Sequence, residues 1–246
     1  MISKALISQI RLLHHKKHRD EQGLFMVEGV KSCKEALHSD LEVVQCFITK
    51  NFAEGNNDFQ ANWVLVSEKE MERISCLNTP PEILCVVKTP QYNINHLDNT
   101  KPLLVLDAIR DPGNLGTIIR TADWFGFPQI LCSEDCVEFT NPKVIQATMG
   151  SFTRIKIVYH NIYAYLKTEK NRAIYGLFMN GEPVFKQSFK NNDIIIIGSE
   201  SHGISETLSS YIQKRMEIPM FPHGHFAPES LNAAMAAGIF MYEYRR

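Results

Sequence analysis

Three segments of the chain carry polar side chains and glycines where predicted strands end: residues 107–120, 198–205 and 218–232. Together they hold carboxylates, carboxamides and a guanidinium, groups that can orient a sugar, polarise a hydroxyl or move a proton. Parallel sheets bind ligands at the carboxyl ends of their strands. We therefore expect the three segments to fold into one cleft.

Familiar nucleotide and hydrolase motifs are missing from these segments. The first contains Gly113 and Gly116 but no G-x-G-x-x-G, and no G-x-x-x-x-G-K-[ST] occurs anywhere in the chain. H-E-x-x-H and G-x-S-x-G are absent as well. These absences disfavour a dinucleotide-dependent oxidoreductase and a P-loop nucleotidase.

The composition is that of an ordinary globular protein. The chain has 246 residues, 44% of them hydrophobic and 22% charged, which fits one or two domains and excludes disorder, collagen and coiled coil. The longest apolar run, near residues 233–242, is too short to span a bilayer, and we expect no membrane partner. The N-terminus does not resemble a secretory signal, and six cysteines without a C-x-x-C pair indicate reduced thiols. We expect a cytoplasmic protein.

The elements that must position the three segments follow a polar linker. The pattern of residues before the linker predicts a small α/β domain over 1–90. We expect the linker at residues 91–101, which lie in an asparagine-rich stretch bounded by prolines. This first domain has predicted helices at 2–13, 30–38 and 68–75 and strands at 25–27, 43–48, 63–66 and 83–88.

The second predicted domain, 102–246, alternates strands with helices. Its strands are predicted at 103–107, 130–132, 155–159, 173–178 and 194–198, and its helices include 114–125, 142–149 and a last one capped by Ser230. This alternation predicts a parallel α/β sheet with helices on both faces.

Taken together, the three segments closely resemble the signature motifs of the SpoU/TrmH-type RNA 2′-O-ribose methyltransferases, part of the SPOUT class. The matching runs are 111–116 (DPGNLG), 119–122 (IRTA), 125–126 (FG), 197–200 (IGSE), 203–205 (GIS), 218–220 (IPM) and 230–232 (SLN). The resemblance extends from about residue 101 to the C-terminus. The first domain is similar to the family's substrate-binding domain, itself similar to kink-turn-binding ribosomal proteins, through Arg19, Gly23, residues 25–29, Ala36 and Leu37.

The resemblance implies a parallel-sheet SPOUT domain with a C-terminal trefoil knot, preceded by a small ribosomal-protein-like substrate-binding domain. It also implies S-adenosylmethionine as the methyl donor, a homodimer, and an RNA substrate. We favour ribosomal over transfer RNA because the first domain resembles that of ribosomal RNA enzymes. Two other functions stay open: a catalytically inactive RNA-binding protein that retains the fold, and a transfer RNA ribose methyltransferase.

The family match gives each motif residue an expected role. Arg120 matches the proposed general base or its equivalent, and Asn114 beside it would hold the ribose. A neutral arginine at pH 7 costs about 7 kcal/mol, whereas general-base catalysis contributes at most about 5.5 kcal/mol. We therefore favour Arg120 as a group that binds phosphate and polarises the hydroxyl. Glu200 would orient polar groups, and Ser230 and Asn232 would hold substrate or cofactor.

The adenosyl part of the donor is expected at the backbone of Gly198, Ile218 and Leu231, again from the family match. The loop at residues 221–229 is longer than is typical of the family and predicts either a substrate-specific lid or a distorted pocket. His223 and His225 in this loop, with His202, lack the spacing of a metal site, so we expect no metal.

Basic residues concentrate at the N-terminus although the whole chain has a net charge of −1. Residues 1–19 have a formal charge of +5 and no acid, and the rest of the chain sums to −6. A local cationic stretch can bind phosphates without a basic protein around it. With the RNA resemblance, we expect phosphate contacts from Arg11, Lys16, Lys17 and Arg19.

Overall fold

The computed structural model describes residues 2–56, 63–221 and 230–246. These residues form two compact units. The first comprises the chain up to Gln91 together with Glu138–Thr153, and the second comprises Tyr92–Val137 and Arg154–Arg246. No described helix is long and apolar enough to cross a bilayer.

The helices and strands are numbered in chain order. The helices are α1 (Lys4–Leu12), α2 (Lys16–Gln22), α3 (Val30–Leu37), α4 (Lys50–Gly55), α5 (Glu68–Ile74), α6 (Pro112–Trp124), α7 (Pro142–Thr148), α8 (Ile162–Thr168), α9 (Glu206–Ser209) and α10 (Ala233–Arg245). The strands are β1 (Leu24–Glu28), β2 (Val43–Ile48), β3 (Val64–Leu65), β4 (Ile83–Lys88), β5 (Leu103–Leu106), β6 (Gln129–Cys132), β7 (Lys156–Tyr159), β8 (Ile174–Pro183), β9 (Ile194–Ile197) and β10 (Lys214–Glu217).

The first unit contains a mixed four-stranded sheet in the order β1-β4-β2-β3. Strand β4 is antiparallel to β1 and β2, and β3 is parallel to β2. The apolar side of α1, through Ile7 and Ile10, packs with Met26, Phe47 and Met71 in a buried core. This burial explains why a short helix with little intrinsic stability persists at the start of the chain.

Residues 138–153 lie in the first unit, although the sequence placed them in the second domain. The ring of Phe25 packs edge-on against Phe139 and Phe152, with centroids 5.9 and 6.0 Å apart. The Gln146 side chain donates to the carbonyl of Glu28 at 3.0 Å. The packing of Phe25 from β1 against these aromatic rings therefore places residues 138–153 in the first unit. The order of the elements along the chain does not indicate this.

The second unit contains a six-stranded, fully parallel sheet in the order β10-β8-β9-β5-β6-β7. Every residue of β5 and β9 is buried, as expected of central strands covered on both sides. The predicted parallel α/β sheet is confirmed. The trefoil knot and the placement of helices on both faces stay predictions.

Two helix starts differ from the sequence prediction. Helix α6 begins at Pro112 with Asp111 as its N-cap, two residues before the predicted start. Helix α10 begins after Asn232, which accepts hydrogen bonds from two backbone N–H groups, so the predicted cap Ser230 was wrong. Both corrections matter for function, because they place Asn114 in the first turn of α6 and Asn232 at the very start of α10.

The predicted linker packs on the second unit. Leu97 is buried in that unit's core, and the Gln129 carboxamide accepts from the N–H of Asp98 and donates to its carbonyl, at 2.8 and 2.9 Å. Residues of the predicted linker 91–101 are therefore anchored in the second unit by packing and hydrogen bonds.

Candidate active site

Side chains from the three segments meet in one cluster, here called the junction: Asn114, Glu200 and Asn232. The Oε1 atom of Glu200 accepts from Nδ2 of Asn114 at 3.0 Å and from Nδ2 of Asn232 at 2.7 Å. Asn232 Nδ2 also donates to Oδ1 of Asn114 at 2.8 Å. The backbone N–H of Ala233 donates to the same Glu200 oxygen at 2.9 Å. One carboxylate oxygen therefore holds residues from all three segments.

Helix starts fix the two amides of the junction. The N–H of Asn114 donates to the Asp111 cap at 2.7 Å, which sets the first turn of α6. Oδ1 of Asn232 accepts from the N–H groups of Ala234 and Met235 at 3.0 and 3.2 Å. Because capping occupies that oxygen, the amide nitrogen of Asn232 must face Glu200 and Asn114.

A tight loop after β9 presents Glu200. Ser199 and Gly203 exchange two backbone hydrogen bonds, of 3.2 and 2.9 Å, across the turn. A Cβ atom at Gly198 would lie 2.0 Å from the carbonyl carbon of Gly203, so no larger residue fits there. Gly203 itself has a φ of +66°, which favours glycine. The glycines of the second segment are thus required by the loop itself.

A cavity of about 1270 Å³ opens on one side of the junction. The predicted donor-binding residues Gly198, Ile218 and Leu231 all line it, together with Glu200 and Ser230. Ser230 makes no hydrogen bond to the described residues. The structure therefore brings the predicted donor contacts into one space, which we call the large cavity.

A second cavity, of about 480 Å³, shares Glu200 and the 199–203 loop with the first. Asn114 lines this small cavity, as do Asp107, Arg110 and Asp135. The Asp107 Oδ2 atom accepts from the N–H of Ser205 at 2.7 Å, which ties the loop after β5 to the loop after β9. The junction thus stands where the two cavities adjoin.

Arg120 is not brought to the junction within one chain. Its side chain is exposed on α6 and lines neither cavity. Six residues of helix rotate the chain by roughly 120° from Asn114, so the two side chains leave α6 on different faces. The predicted partnership of Arg120 with Asn114 is therefore not formed by a single chain.

The predicted RNA contacts lie in the first unit and fall into three groups. Arg11 is exposed in the last turn of α1. Lys16 and Lys17 are exposed but paired one turn along α2, with Asp20 at 2.5 Å and Glu21 at 3.9 Å.

Arg19 differs from the other three predicted RNA contacts, because its side chain is buried. The side chain is only 2% exposed. Its Nη1 donates to the carbonyls of Leu13 and His14, both at 2.9 Å, and its Nη2 donates to Glu138 at 2.5 Å. The guanidinium is committed to holding the α1–α2 turn and the 138–153 segment.

Sequence reasoning missed two features that line the cavities. Asp107 is the last residue of a predicted strand and Arg110 follows three residues later, so their position in the first segment could have identified them. In the large cavity, the guanidinium of Arg215 lies 3.6 Å from the ring centre of Phe178. That pair depends on β10, a strand with only Met216 fully buried, and the sequence gives no periodic signal for it.

No group of three potential metal ligands occurs among the described residues. The proposed lid at residues 221–229 lies outside the described part apart from Phe221, and so do His223 and His225.

The family model described as the SpoU rRNA Methylase family matches residues 101–242, and one described as the MRM3-like substrate binding domain matches residues 4–85. The chain belongs to the SpoU rRNA methylase family. It is 29% identical to the 23S rRNA (guanosine(2553)-2′-O)-methyltransferase RlmP of Bacillus subtilis, over 95% of this chain and 93% of that one. It is 25% identical to human mitochondrial rRNA methyltransferase 3, over 99% of this chain and 72% of the other.

Solved structures agree with this SpoU methylase over its full length. A TrmH-family protein from Porphyromonas gingivalis superposes with a TM-score of 0.87 at 30% identity, covering 100% of this chain and 98% of that one. An AdoMet-bound rRNA methyltransferase from Sinorhizobium meliloti gives a TM-score of 0.85 at 26% identity, covering 100% and 95%.

Proposed function

We propose that this SpoU methylase transfers a methyl group from S-adenosylmethionine to the ribose 2′-hydroxyl of a nucleotide in ribosomal RNA. The observation that carries the proposal is the junction of Asn114, Glu200 and Asn232 between a large and a small cavity. The names of the relatives in Bacillus and human mitochondria support the reaction and the RNA class. The cytoplasmic location stays a prediction.

The large cavity fits the donor. Its volume of about 1270 Å³ exceeds the roughly 300–1,000 Å³ of typical ligand pockets, so space does not exclude a nucleoside-sized molecule. When bound, S-adenosylmethionine supplies a methyl group activated by a sulfonium. Backbone groups at Gly198, Ile218 and Leu231 would hold the adenosyl part, since strand-end loops present donors and acceptors at fixed positions.

The junction supplies preorganised polar groups for the acceptor. Glu200 Oε1 already accepts three N–H groups, so both carboxamides are held before substrate arrives. Asn114 faces the small cavity, where it can hold a ribose hydroxyl while Glu200 keeps its amide in place. Such fixed dipoles require no reorganisation during the reaction, which is the main source of electrostatic catalysis.

We also propose that the active form is a homodimer in which Arg120 of one subunit completes the site of the other. Arg120 lies outside both cavities of its own chain. Helices α6 and α10 pack against each other and leave Trp124, Met235 and Tyr242 at 84%, 60% and 53% exposure. Three large side chains exposed on one helix pair favour burial by a second copy.

The function is tested with the purified protein, radiolabelled S-adenosylmethionine and unmodified 23S ribosomal RNA, the RNA class of the Bacillus relative. We expect methyl incorporation at a ribose, located by mass spectrometry of RNase digests. Calorimetric titration with S-adenosylmethionine should show binding. If no heat of binding is detected while RNA still binds, the protein is an inactive RNA-binding member of the fold.

Mixing variants tests the homodimer. Arg120→Ala and Asn232→Ala should each lower activity at least 10²-fold, because each removes a polar contact from every site. If sites combine residues of two subunits, mixed dimers regain one intact site, and random exchange restores about a quarter of the wild-type activity. No recovery, with exchange verified by native mass spectrometry, would place Arg120 in the site of its own chain.

A further inference from the structure

Arg110 carries the only permanent positive charge among the described residues that line the small cavity. It stands four residues after the end of β5 and four before Asn114, so it shares the wall of the cavity with a junction residue. Its side chain is 70% exposed.

The loop that carries Arg110 is held in a strained conformation. Ala108 has a φ of +58°, a left-handed value that is unfavourable for a residue with a Cβ atom. The neighbouring loop compensates: Ala108 N–H donates to Ser133 Oγ at 2.9 Å and Ile109 N–H to Cys136 Sγ at 3.2 Å. The N–H of Val137 donates to the Ile109 carbonyl at 2.9 Å. Strain that is fixed from outside in this way is typical of functional sites.

Asp135 directs the guanidinium. Its Oδ2 accepts from Arg110 Nη2 at 2.8 Å, and its Oδ1 accepts from the Ser133 hydroxyl at 2.6 Å. The hydroxyl of Ser133, and then the Arg110 guanidinium, hold the pKa of Asp135 below its usual value, so the carboxylate is ionised at neutral pH. The Nε and Nη1 groups of Arg110 make no hydrogen bond to the described residues, and Nη2 has a second N–H besides the one donated to Asp135, which can complete a two-donor fork. One side of the guanidinium is therefore anchored and another is available.

The available donors match the chemistry next to a ribose 2′-hydroxyl. In RNA the 2′-oxygen and the 3′-phosphodiester are attached to adjacent sugar carbons, so a ribose held at Asn114 brings that phosphate into the same cavity. An arginine fork binds phosphate oxygens with two N–H groups and fixes their orientation. We propose that Arg110 binds the phosphodiester 3′ to the methylated ribose and thereby positions the 2′-hydroxyl at Asn114. The inference rests on the proposed function.

The other charged groups of the cavity do not take over this role. Asp107 and Glu200 are acids that already accept backbone or amide N–H groups. An exposed pair such as Arg110–Asp135 contributes little to stability, so its loss should leave the fold intact. A purely structural pair is the competing explanation, and the two make different predictions for RNA.

The test compares Arg110→Gln with Lys167→Gln, which removes an exposed charge on α8 that lines neither cavity. Using the RNA methylated by the wild type, we expect Arg110→Gln to raise the KM for RNA about tenfold and to leave kcat within about threefold. The slope of log KM against log salt should fall by about 0.7–0.9, the value of one lost phosphate contact. The Kd for S-adenosylmethionine should not change, and Lys167→Gln should match the wild type.

Two further variants separate charge from orientation. Arg110→Lys should keep the salt slope but recover only part of the KM, since an ammonium lacks the fork. Asp135→Asn should raise the KM about threefold without flattening the salt slope. An unchanged KM and slope in Arg110→Gln, or an equal loss of donor binding, would overturn the assignment. Failure of the wild type to methylate RNA would instead count against the proposed function.

Discussion

Helix α2 and the junction both carry side chains that the sequence indicated as functional, but their polar partners come from different places. On α2 the partners of Lys16 and Lys17 are acids four residues further along the same helix. At the junction, Glu200 holds amides that are 86 and 32 residues away in the chain. The lysines of α2 are thus paired with acids of the same helix. The junction, in contrast, forms only after the parallel sheet has brought distant segments together.

This difference shows why a count of formal charges over a stretch of sequence does not identify a phosphate-binding surface. The count of +5 over residues 1–19 stops immediately before Asp20 and Glu21, and the helix Lys16–Gln22 has a formal charge of only +1. Arg19 is also withdrawn from solvent altogether. The junction residues carry less charge, but their fixed geometry lets each contribute more to binding or catalysis than a solvent-exposed lysine does.

The largest effect on stability is expected from Arg19→Ala. The change leaves Glu138 and two backbone carbonyls without their donor, which should destabilise the first unit by about 3 kcal/mol. Thermal or urea unfolding measures this, with Lys17→Ala as the exposed control. If Arg19→Ala unfolds like the control but binds RNA less tightly, the arginine is an RNA contact after all.

The junction is tested by Glu200→Gln, with exposed Glu182→Gln as the matched control. The variant loses the charge on the oxygen that accepts three N–H groups, so we expect kcat/KM for methyl transfer to fall about 10²-fold. Donor binding, measured by calorimetry, should change much less. Activity within threefold of the control would mean that Glu200 only completes a helix start.

Much of the fold could be predicted from hydrophobic patterning. Strands β2 and β4 were placed to the residue, and the continuous apolar runs of β5 and β9 predicted the parallel sheet. Helix α2 (KKHRDEQ) was missed and strand β10 (KRME) was given no bounds, because each buries little and shows no apolar period. The start of α6 was placed too late, although Asp111-Pro112 carries the same cap-then-proline signal as Asn141-Pro142.

The site residues could be predicted only where they belong to one of the motifs that resemble the family. Asn114, Glu200 and Asn232 followed from the family resemblance, and the structure joins them by hydrogen bonds. The expected position of Arg120 beside Asn114 is not seen among the described residues of one chain, where Arg120 lines neither of the two cavities. The Arg110–Asp135 pair could not be foreseen either, since it depends on β5 and β6 being neighbours in the sheet.

The smallest effect is expected from Lys16→Gln combined with Lys17→Gln. Because Asp20 and Glu21 already offset these lysines, the KM for RNA should rise no more than about twofold and the salt slope should hardly change. Removing the acids instead, by Asp20→Asn with Glu21→Gln, exposes the lysine charge and should steepen the salt slope if RNA passes along α2. A tenfold loss in the lysine variant would show that RNA displaces the acids, and α2 would then belong with the junction as a functional surface.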